Sequence, residues 1–515
     1  MSRKEKQIEV ADVTLRDGEQ TPGVSFRPKQ KLAYVINALT QLMVDRIEVT
    51  SALVSEGEKQ MLATVMEWAT KHGFADRIEV LGFVDGKKSV DWIRSGGGKV
   101  MNLLCKGSLK HCEGQLRKSL EQHLADIEIT VKYAISHGLM VNVYLEDWSQ
   151  GMLNSPQYVK KLLAGLAKLP ISRAMLCDTM GVLSPWQVAD FITQTSRWQP
   201  KLRYDFHGHN DYGLAVANSL AAVKTGAISG VHLTVNGLGE RAGNAALDEV
   251  VVGITDHLRG FCTGVQEAHL RPASQVVAMM SGRRVSPSKP IAGNVFVTTA
   301  GVHVDGDLKA GLYVHPCLTA GRLGIRVEHS LGKLSGKASI RSNAARFGLT
   351  LNDEEINAVS TRVTKLGDEG KPVTIADLPY IIAEVLNRPD VIVFRVEHAT
   401  TQSTIGRRAT AAATIVYYKR QYEISAHGDG GFDAFMNALV KWAKQHKISV
   451  PKLIDYDLKI PPGGTYAAIV QANIRWKGPN GEGEFQTVGL DTDQVMAAIY
   501  AAEAAINICN QNHHQ

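Results

Sequence analysis

Across 515 residues there are six cysteines, Cys105, Cys112, Cys177, Cys262, Cys317 and Cys509, and no two of them form a CxxC pair. That scatter argues against a disulfide framework and a thiolate zinc knuckle, so reduced thiols in a cytoplasmic protein are the expectation. Aromatic residues make up only 6% of the chain, and no basic block interleaved with them occurs. The surplus of 57 basic over 51 acidic residues, a net +6, is therefore spread out and does not mark a nucleic-acid surface. No apolar run nears the roughly 20 residues that cross a bilayer, and the opening MSRKEKQIEV has no signal-peptide core. Neither nucleic acid nor membrane is expected as a partner. A GxGxxG after the first β-like run is also missing, which argues against an open dinucleotide-binding sheet. What is present is ordinary globular composition, 44% hydrophobic and 21% charged. The length suits roughly two to four domains, or one large barrel with attachments.

Within the first 240 residues, short β-branched runs alternate with amphipathic stretches such as PKQKLAYVINALTQL, the pattern of βα units around a parallel sheet. Eight runs stand out: IEVADVT (8–14), RIEVTS (46–51), IEVLGFV (78–84), KVMNLLCK (99–106), VNVYLED (141–147), RAMLCDT (173–179), RYDFHGHN (203–210) and GVHLTVNGLG (230–239). Eight units in about 250 residues predict a closed (β/α)8 TIM barrel, taken here as residues 1–275. A Gly/Ser/Pro/Lys-rich connection follows, then a helical stretch in which Asn352 and Glu355 have capping-box spacing, so 276–390 reads as a linker and helical subdomain. Residues 391–515 return to strands (VIVFRVEHAT, ATAAATIVYYKRQYEISA, LIDYDLKI, YAAIVQANIRWKG, EFQTVGLD) with two helices between them. They predict a C-terminal α+β domain, so the fold class is α/β with an α+β attachment.

Polar residues gather at the ends of most of the eight runs, and in a barrel these ends share one mouth. They include Arg16, Asp17, Lys106, Glu146, Asp178, Thr179, His207, His209, Glu240, Arg241 and Asn244. His207 and His209 lie on the same side of an extended segment, because side chains alternate with period two. A strand HxH alone is more often structural. Joined to a carboxylate at Asp17 and an amide at Asn244, it predicts a site for a divalent ion, Mn2+, Mg2+, Zn2+ or Co2+. Such an ion with open positions chelates a 2-oxo acid and polarises its ketone. Arg16, next to a ligand, is placed to stabilise the oxygen that becomes alkoxide, although it could simply pair with Asp17 or Glu48. Thr179 suits the substrate carboxylate, or is only a helix cap.

The segments TLRDGEQTPGVSF, FHGHNDYGLAVANSLAAVKTGA and VNGLGERAGNAAL resemble the signatures of the isopropylmalate, homocitrate and citramalate synthases, and TAGVHVDGD and GDGGFDAFMNAL extend the likeness along the whole chain. The resemblance implies an acetyl-CoA-dependent Claisen condensation with a 2-oxo acid in a metal-bearing barrel. It also implies a C-terminal domain that binds an amino-acid inhibitor, and a homodimer in which the linker of one chain covers the barrel mouth of the other. Asp17, His207 and His209 would be metal ligands with Asn244 nearby, and Arg16 and Thr179 would bind the oxo acid. Glu146 and His303 match the base and proton-relay positions without settling which removes the proton. Asp305 would orient His303 and contact substrate, and Tyr313 would meet the thioester or its enolate.

Leu81, Leu104 and Tyr144 match positions that surround the pyruvate methyl in citramalate synthases, where isopropylmalate synthases have His in place of Tyr144. Pyruvate is thus the expected oxo acid, giving citramalate for isoleucine biosynthesis with isoleucine as inhibitor; 2-oxoisovalerate, leucine biosynthesis and leucine are the alternative. Both leucines could instead be ordinary barrel core. The chain departs from the family pattern at Cys177 and Met180, where Pro and Leu are commoner, and at Gly311, where Asn is common.

Overall fold

The computed structural model describes residues 5–510 except 294, 299, 314, 316, 325–327, 330, 332–334, 347–348, 369–372, 374–376, 388–391, 460–469 and 480–483. The chain divides into two compact units, residues 1–295 with 316–326, and 296–315 with 327–515.

The first unit is a closed parallel barrel of β1 (Glu9–Asp12), β2 (Arg46–Ser51), β3 (Ile78–Phe83), β4 (Val100–Lys106), β5 (Met140–Glu146), β6 (Arg173–Asp178), β7 (Tyr204–Gly208) and β8 (Ile228–Leu233). Each of the eight expected runs supplies one strand: Arg46–Ser51 matches its run residue for residue, the strand from the 141–147 run starts one residue earlier at Met140, and the others are shorter than their runs where the chain turns into loops. The helix Pro28–Asn37 begins on a first-turn proline, as its sequence predicts, and ends in a wide turn at Ala38–Leu42 closed by Met43 in the left-handed conformation, φ 61°. The helix Leu270–Ser281 follows the last barrel elements and runs across residue 275. β1 is held unevenly, registering with β8 over four residues, from Glu9–Gly230 to Asp12–Leu233. It registers with β2 only at Ala11–Arg46 and Asp12–Ile47, whereas β4 and β5 run side by side from Val100–Met140 to Lys106–Glu146.

Ile47, Val49, Val80, Leu103, Val143 and Leu176 are fully buried, and their β-branched or aliphatic side chains explain why these runs settle as strands. The opposite phase of the same strands carries charge into the barrel. Arg46 of β2 donates to Glu79 (2.8 Å) and to Asp205 of β7 (2.5 Å), while Arg173 of β6 reaches Asp205 at 3.0 Å and Glu9 at 2.9 Å. Asn102 donates to Glu48 (2.8 Å) and Glu79 (2.9 Å), and Asn142 donates to Asn102 at 2.8 Å. Buried charge is costly unless paired and hydrogen-bonded, and here each carboxylate has at least two donors.

In the second unit, β9 (Phe394–Gln402), β10 (Ala409–Tyr417) and β11 (Arg420–Gly428) form one antiparallel sheet; β12 (Lys452–Lys459), β13 (Val470–Lys477) and β14 (Glu484–Asp491) form another. Helices Gly431–His446 and Gln494–Asn510 share a core with both sheets, built on Phe394, Phe435, Trp442, Ile474, Trp476 and Ile499. The run ATAAATIVYYKRQYEISA is two strands, not one. Tyr418 and Lys419 turn the chain with φ 46° and 66°, a two-residue hairpin built without the usual glycine or asparagine. Helices Lys337–Arg346, Asp353–Asp368 and Leu378–Val385 make a separate small core, and the Asn352–Glu355 capping box forms, with reciprocal bonds of 2.9 and 2.8 Å. The first residues of the YAAIVQANIRWKG run, the last residue of the LIDYDLKI run with the PPGG segment at 461–464, and Val391 lie outside the described residues. No helix among the described residues is long and apolar enough to cross a membrane.

Candidate active site

Two strand ends deliver Asp17, His207 and His209 to one place. Asp17 follows β1, in a turn whose N–H groups bond back to the Val13 carbonyl, and His207 and His209 sit at the end of β7. The Asp17 carboxylate lies 3.4 Å from His207 Nε2 and 3.9 Å from His209 Nε2, and the two imidazole nitrogens are 3.2 Å apart. All three residues are buried, and their donor atoms lie within 4.8 Å of one another. Asn244 pairs with His209 through an isolated β-bridge, and its Nδ2 donates to the Leu238 carbonyl. Neither Asn244 Oδ1 nor Asp17 Oδ1, both buried, has a hydrogen-bond partner among the described residues. Two imidazoles, a carboxylate and an adjacent amide oxygen are a donor set that fits a divalent cation.

The electrostatics favour the ligating forms. Burial pushes the Asp17 carboxyl up, but Arg16 and the two histidines overcome this and hold it well below the usual carboxylate range. Burial and the neighbouring His207 bring His209 down to about 4, against the pull of Asp17. His209 is therefore a neutral imidazole at pH 7, with a nitrogen lone pair to offer.

Arg16 makes both of the pairings its position allows. Nε donates to Glu48 at 2.5 Å, Nη1 to Asp17 at 3.0 Å and Nη2 to the Tyr144 hydroxyl at 3.3 Å, and its Cζ stands 5.5 Å from the Tyr144 ring centre. Burial disfavours the guanidinium charge, but Glu48 and Asp17 more than offset it, so Arg16 stays charged. Tyr144 in turn lies 2.8 Å from His232 Nδ1, and His232 Nε2 lies 3.3 Å from Asp205. The mouth thus rests on the buried polar layer through a continuous hydrogen-bonded chain.

Leu81, Tyr144 and Leu104 meet in a small apolar cluster that also contains Met175 and Cys177. Cys177, read from the sequence only as a departure, is part of this wall, and burial raises its thiol well above the ordinary range. Thr179 is not a helix cap; Ser184 caps the following helix. Instead, Thr179 Oγ1 accepts from the Asp147 N–H (2.8 Å) and its carbonyl accepts from Arg241 (2.5 Å), which also binds Asp211. Arg241 thereby ties the loops after β6 and β7 to its own. Glu146 ends β5 and pairs with Lys106 at the end of β4.

His303, Asp305 and Tyr313 belong to the second unit. The His303 ring stacks on Tyr313, with centres 4.1 Å apart, and Asp305 pairs with Lys309 at 2.7 Å. Gly311 ends the helix Gly301–Ala310 in the left-handed region, φ 62°. Asparagine is the other residue that tolerates this conformation, so the exchange keeps the turn and drops only an amide.

Sequence reasoning missed the supporting layer of Arg46, Glu79, Asn102, Asp205 and His232, and it missed Met175. For all but His232 the signal was there: each lies two residues from one already named on its strand (Glu48, Leu81, Leu104, His207 or Cys177), hence on the same face.

Residues 7–277 match the HMGL-like family, 291–371 the homocitrate synthase post-HMGL domain-like family, and 372–509 the LeuA allosteric (dimerisation) domain. The (R)-citramalate synthase CimA of Methanocaldococcus jannaschii is 32% identical over 507 residues, 97% of this chain and 99% of its own. A Methanopyrus kandleri protein carrying a provisional form of that name is 33% identical over 505 residues, 97% of this chain and 96% of its own. Among solved structures, a hydroxymethylglutaryl-CoA lyase from Pseudomonas aeruginosa is 21% identical, with a TM-score of 0.47, over 56% of this chain and 96% of the lyase. Family matches along the chain and near full-length likeness to a curated synthase agree with the barrel and its mouth: the chain belongs to the HMGL-like family, in its citramalate synthase branch of acyl-CoA-dependent condensing transferases.

Proposed function

We propose that the protein condenses acetyl-CoA with pyruvate to give (R)-citramalate, a step toward isoleucine. The observation that carries the choice of pyruvate is the cluster of Leu81, Leu104, Tyr144, Met175 and Cys177 beside Arg16, whose bulk suits a methyl group and crowds a branched one. Held by Asp17, His207 and His209, with Asn244 alongside, a divalent cation supplies Lewis acidity to the oxo-acid oxygens when bound. Arg16 binds the oxo acid and, already fixed by three partners, faces the ketone oxygen as it gains charge. The Thr179 hydroxyl, whose oxygen already accepts one bond, has its proton free to donate to the substrate carboxylate. Glu146 takes a proton from the thioester methyl; the resulting carbon adds to the ketone, the alkoxide is protonated, and water then cleaves the thioester to release CoA.

Release of CoA thiol from acetyl-CoA, with Mn2+ or Mg2+ and matched pyruvate or 2-oxoisovalerate, tests this directly. Catalytic efficiency should favour pyruvate by roughly tenfold or more, the discrimination expected when extra methyl groups must be excluded. A preference for 2-oxoisovalerate would make the enzyme an isopropylmalate synthase and overturn the pocket assignment.

The family likeness and the LeuA dimerisation domain support a homodimer in which the linker of each chain covers the other's barrel, with isoleucine as the regulatory ligand of the C-terminal domain. The partner subunit's His303 then completes the site, where Tyr313 contacts the thioester and Asp305 the substrate. Mixing Glu146→Ala with His303→Ala chains should restore up to about a quarter of wild-type turnover per chain, the share expected when one site in each mixed dimer is intact. Mixed dimers that form without recovering activity would sink the shared site.

A further inference from the structure

Lys106 marks a strand end in the sequence, and the structure gives it a specific neighbour. It ends β4 opposite Glu146 of β5, is 7% exposed, and its ammonium pairs with the Glu146 carboxylate. The backbone around the pair is held from several sides. The Lys106 N–H donates to His123 Nε2 (3.1 Å), its carbonyl accepts from Tyr158 (2.9 Å), and the Gly107 N–H donates to the Glu146 carbonyl (2.6 Å). A Cβ on Gly107 would stand 2.9 Å from the carbonyl oxygens of both Leu145 and Glu146, so glycine is what lets the two strand ends approach. Beyond Glu146, Asp147 adopts the left-handed conformation, φ 62°, anchored by Thr179 and by Ser108 at 2.8 Å. Strain of this kind persists only where the surroundings fix it.

We propose that Lys106 is the positioning residue for Glu146, fixing the carboxylate at the barrel mouth in the orientation that accepts the thioester methyl proton. This rests on the condensation proposed above. In that step a C–H bond breaks, the proton goes to the Glu146 carboxylate and the electron pair moves to the enolate oxygen. Negative charge leaves Glu146 as it arises on the thioester, so the lysine cation keeps a counter-charge in the mouth throughout. A lysine ammonium is a compact charge on a flexible stem, and here burial and the Glu146 contact remove that flexibility.

The test is a double-mutant cycle with acetyl-CoA and pyruvate: wild type, Lys106→Met, Glu146→Gln and the double variant, with Lys106→Arg as rescue. Lys106→Met should lose about 10²-fold in kcat, with KM for either substrate changed by less than about threefold. Lys106→Arg should recover about tenfold, and the double variant should match Glu146→Gln within about threefold, because the lysine acts through the carboxylate. Losses that multiply in the double variant would overturn the proposal. So would a raised KM for acetyl-CoA with kcat intact, which would make Lys106 a ligand-binding cation. Should Lys106→Met fail to fold, Lys106→Gln replaces it in the cycle. A wild type inactive with both oxo acids removes the condensation and this proposal with it, whereas an active wild type with multiplicative losses removes only the proposal.

Discussion

His207→Ala should lower kcat/KM by about 10³-fold or more, the several kcal/mol that Lewis-acid stabilisation supplies, while the protein remains folded. His207 is one of three donors, and its Nε2 stands 3.2 Å from that of His209 and 3.4 Å from Asp17. Without it, a carboxylate and one imidazole remain, too few to hold a divalent ion against dialysis. Asp17 keeps Arg16 as its ion-pair partner, so the deletion leaves no bare buried charge. Metal content per chain after dialysis should fall from near one to near zero, alongside an unchanged far-ultraviolet circular dichroism spectrum. A variant that retains both stoichiometric metal and turnover would refute the ligand assignment.

Arg46→Met should cost about 3–5 kcal/mol of stability, the penalty for stripping a buried ion pair of one member. Arg46 binds Glu79, Asp205 and Glu9, and the first two carboxylates are almost wholly buried. Burial raises the Glu79 carboxyl, but Arg46, with His232 and the Asn102 amide, overrides it and holds the group below its ordinary value; Asp205 is depressed further, against the same burial, by Arg46, His232 and Arg173. A depressed folded-state value contributes stability above the unfolded value of about 4 and loses it as pH falls through the folded value. With methionine at 46, burial dominates at Glu79 and the sign reverses: protonation in the folded state is favoured, and that contribution is lost as pH rises. The deficit between variant and wild type should therefore be largest near pH 7 and shrink toward pH 4. Urea unfolding across that range measures it, and a deficit that is independent of pH would show that the guanidinium does not hold these carboxylates charged.

The barrel was legible because the outward phase of its strands is largely apolar, from Ile47 and Val49 through Met101 and Leu103 to Tyr204 and Phe206, a pattern that survives without knowledge of neighbours. That Asp17, His207 and His209 come together was legible because they stand at strand ends, and barrel closure sends all such ends to one mouth. Which partner each polar side chain takes was not legible. Asp205 meets Arg46 across 159 residues of chain, and Tyr144 meets His232 across 88, pairings that only the strand stagger sets. The dual pairing of Arg16 with Asp17 and Glu48 shows that the structural and catalytic readings of that residue are compatible. The β10–β11 hairpin escaped notice because Tyr418 and Lys419 carry none of the chemistry that announces positive φ.

The uneven pairing of β1 bears on how a cation would hold the barrel mouth. Asp17 follows β1, and the histidines that face it follow β7, on strands separated by β8. The β1–β2 seam has two backbone registers, Ala11–Arg46 and Asp12–Ile47, and is crossed by the Arg46–Glu9 and Arg16–Glu48 ion pairs, whereas β1 keeps four registers with β8. An ion held between Asp17 and the two histidines would bind the intact mouth and not one in which the turn after β1 has moved away, so it would tie the end of the first strand to that of the seventh. Bound there, a cation would slow amide hydrogen exchange along residues 9–17, which would make this segment's solvent protection a readout of site occupancy.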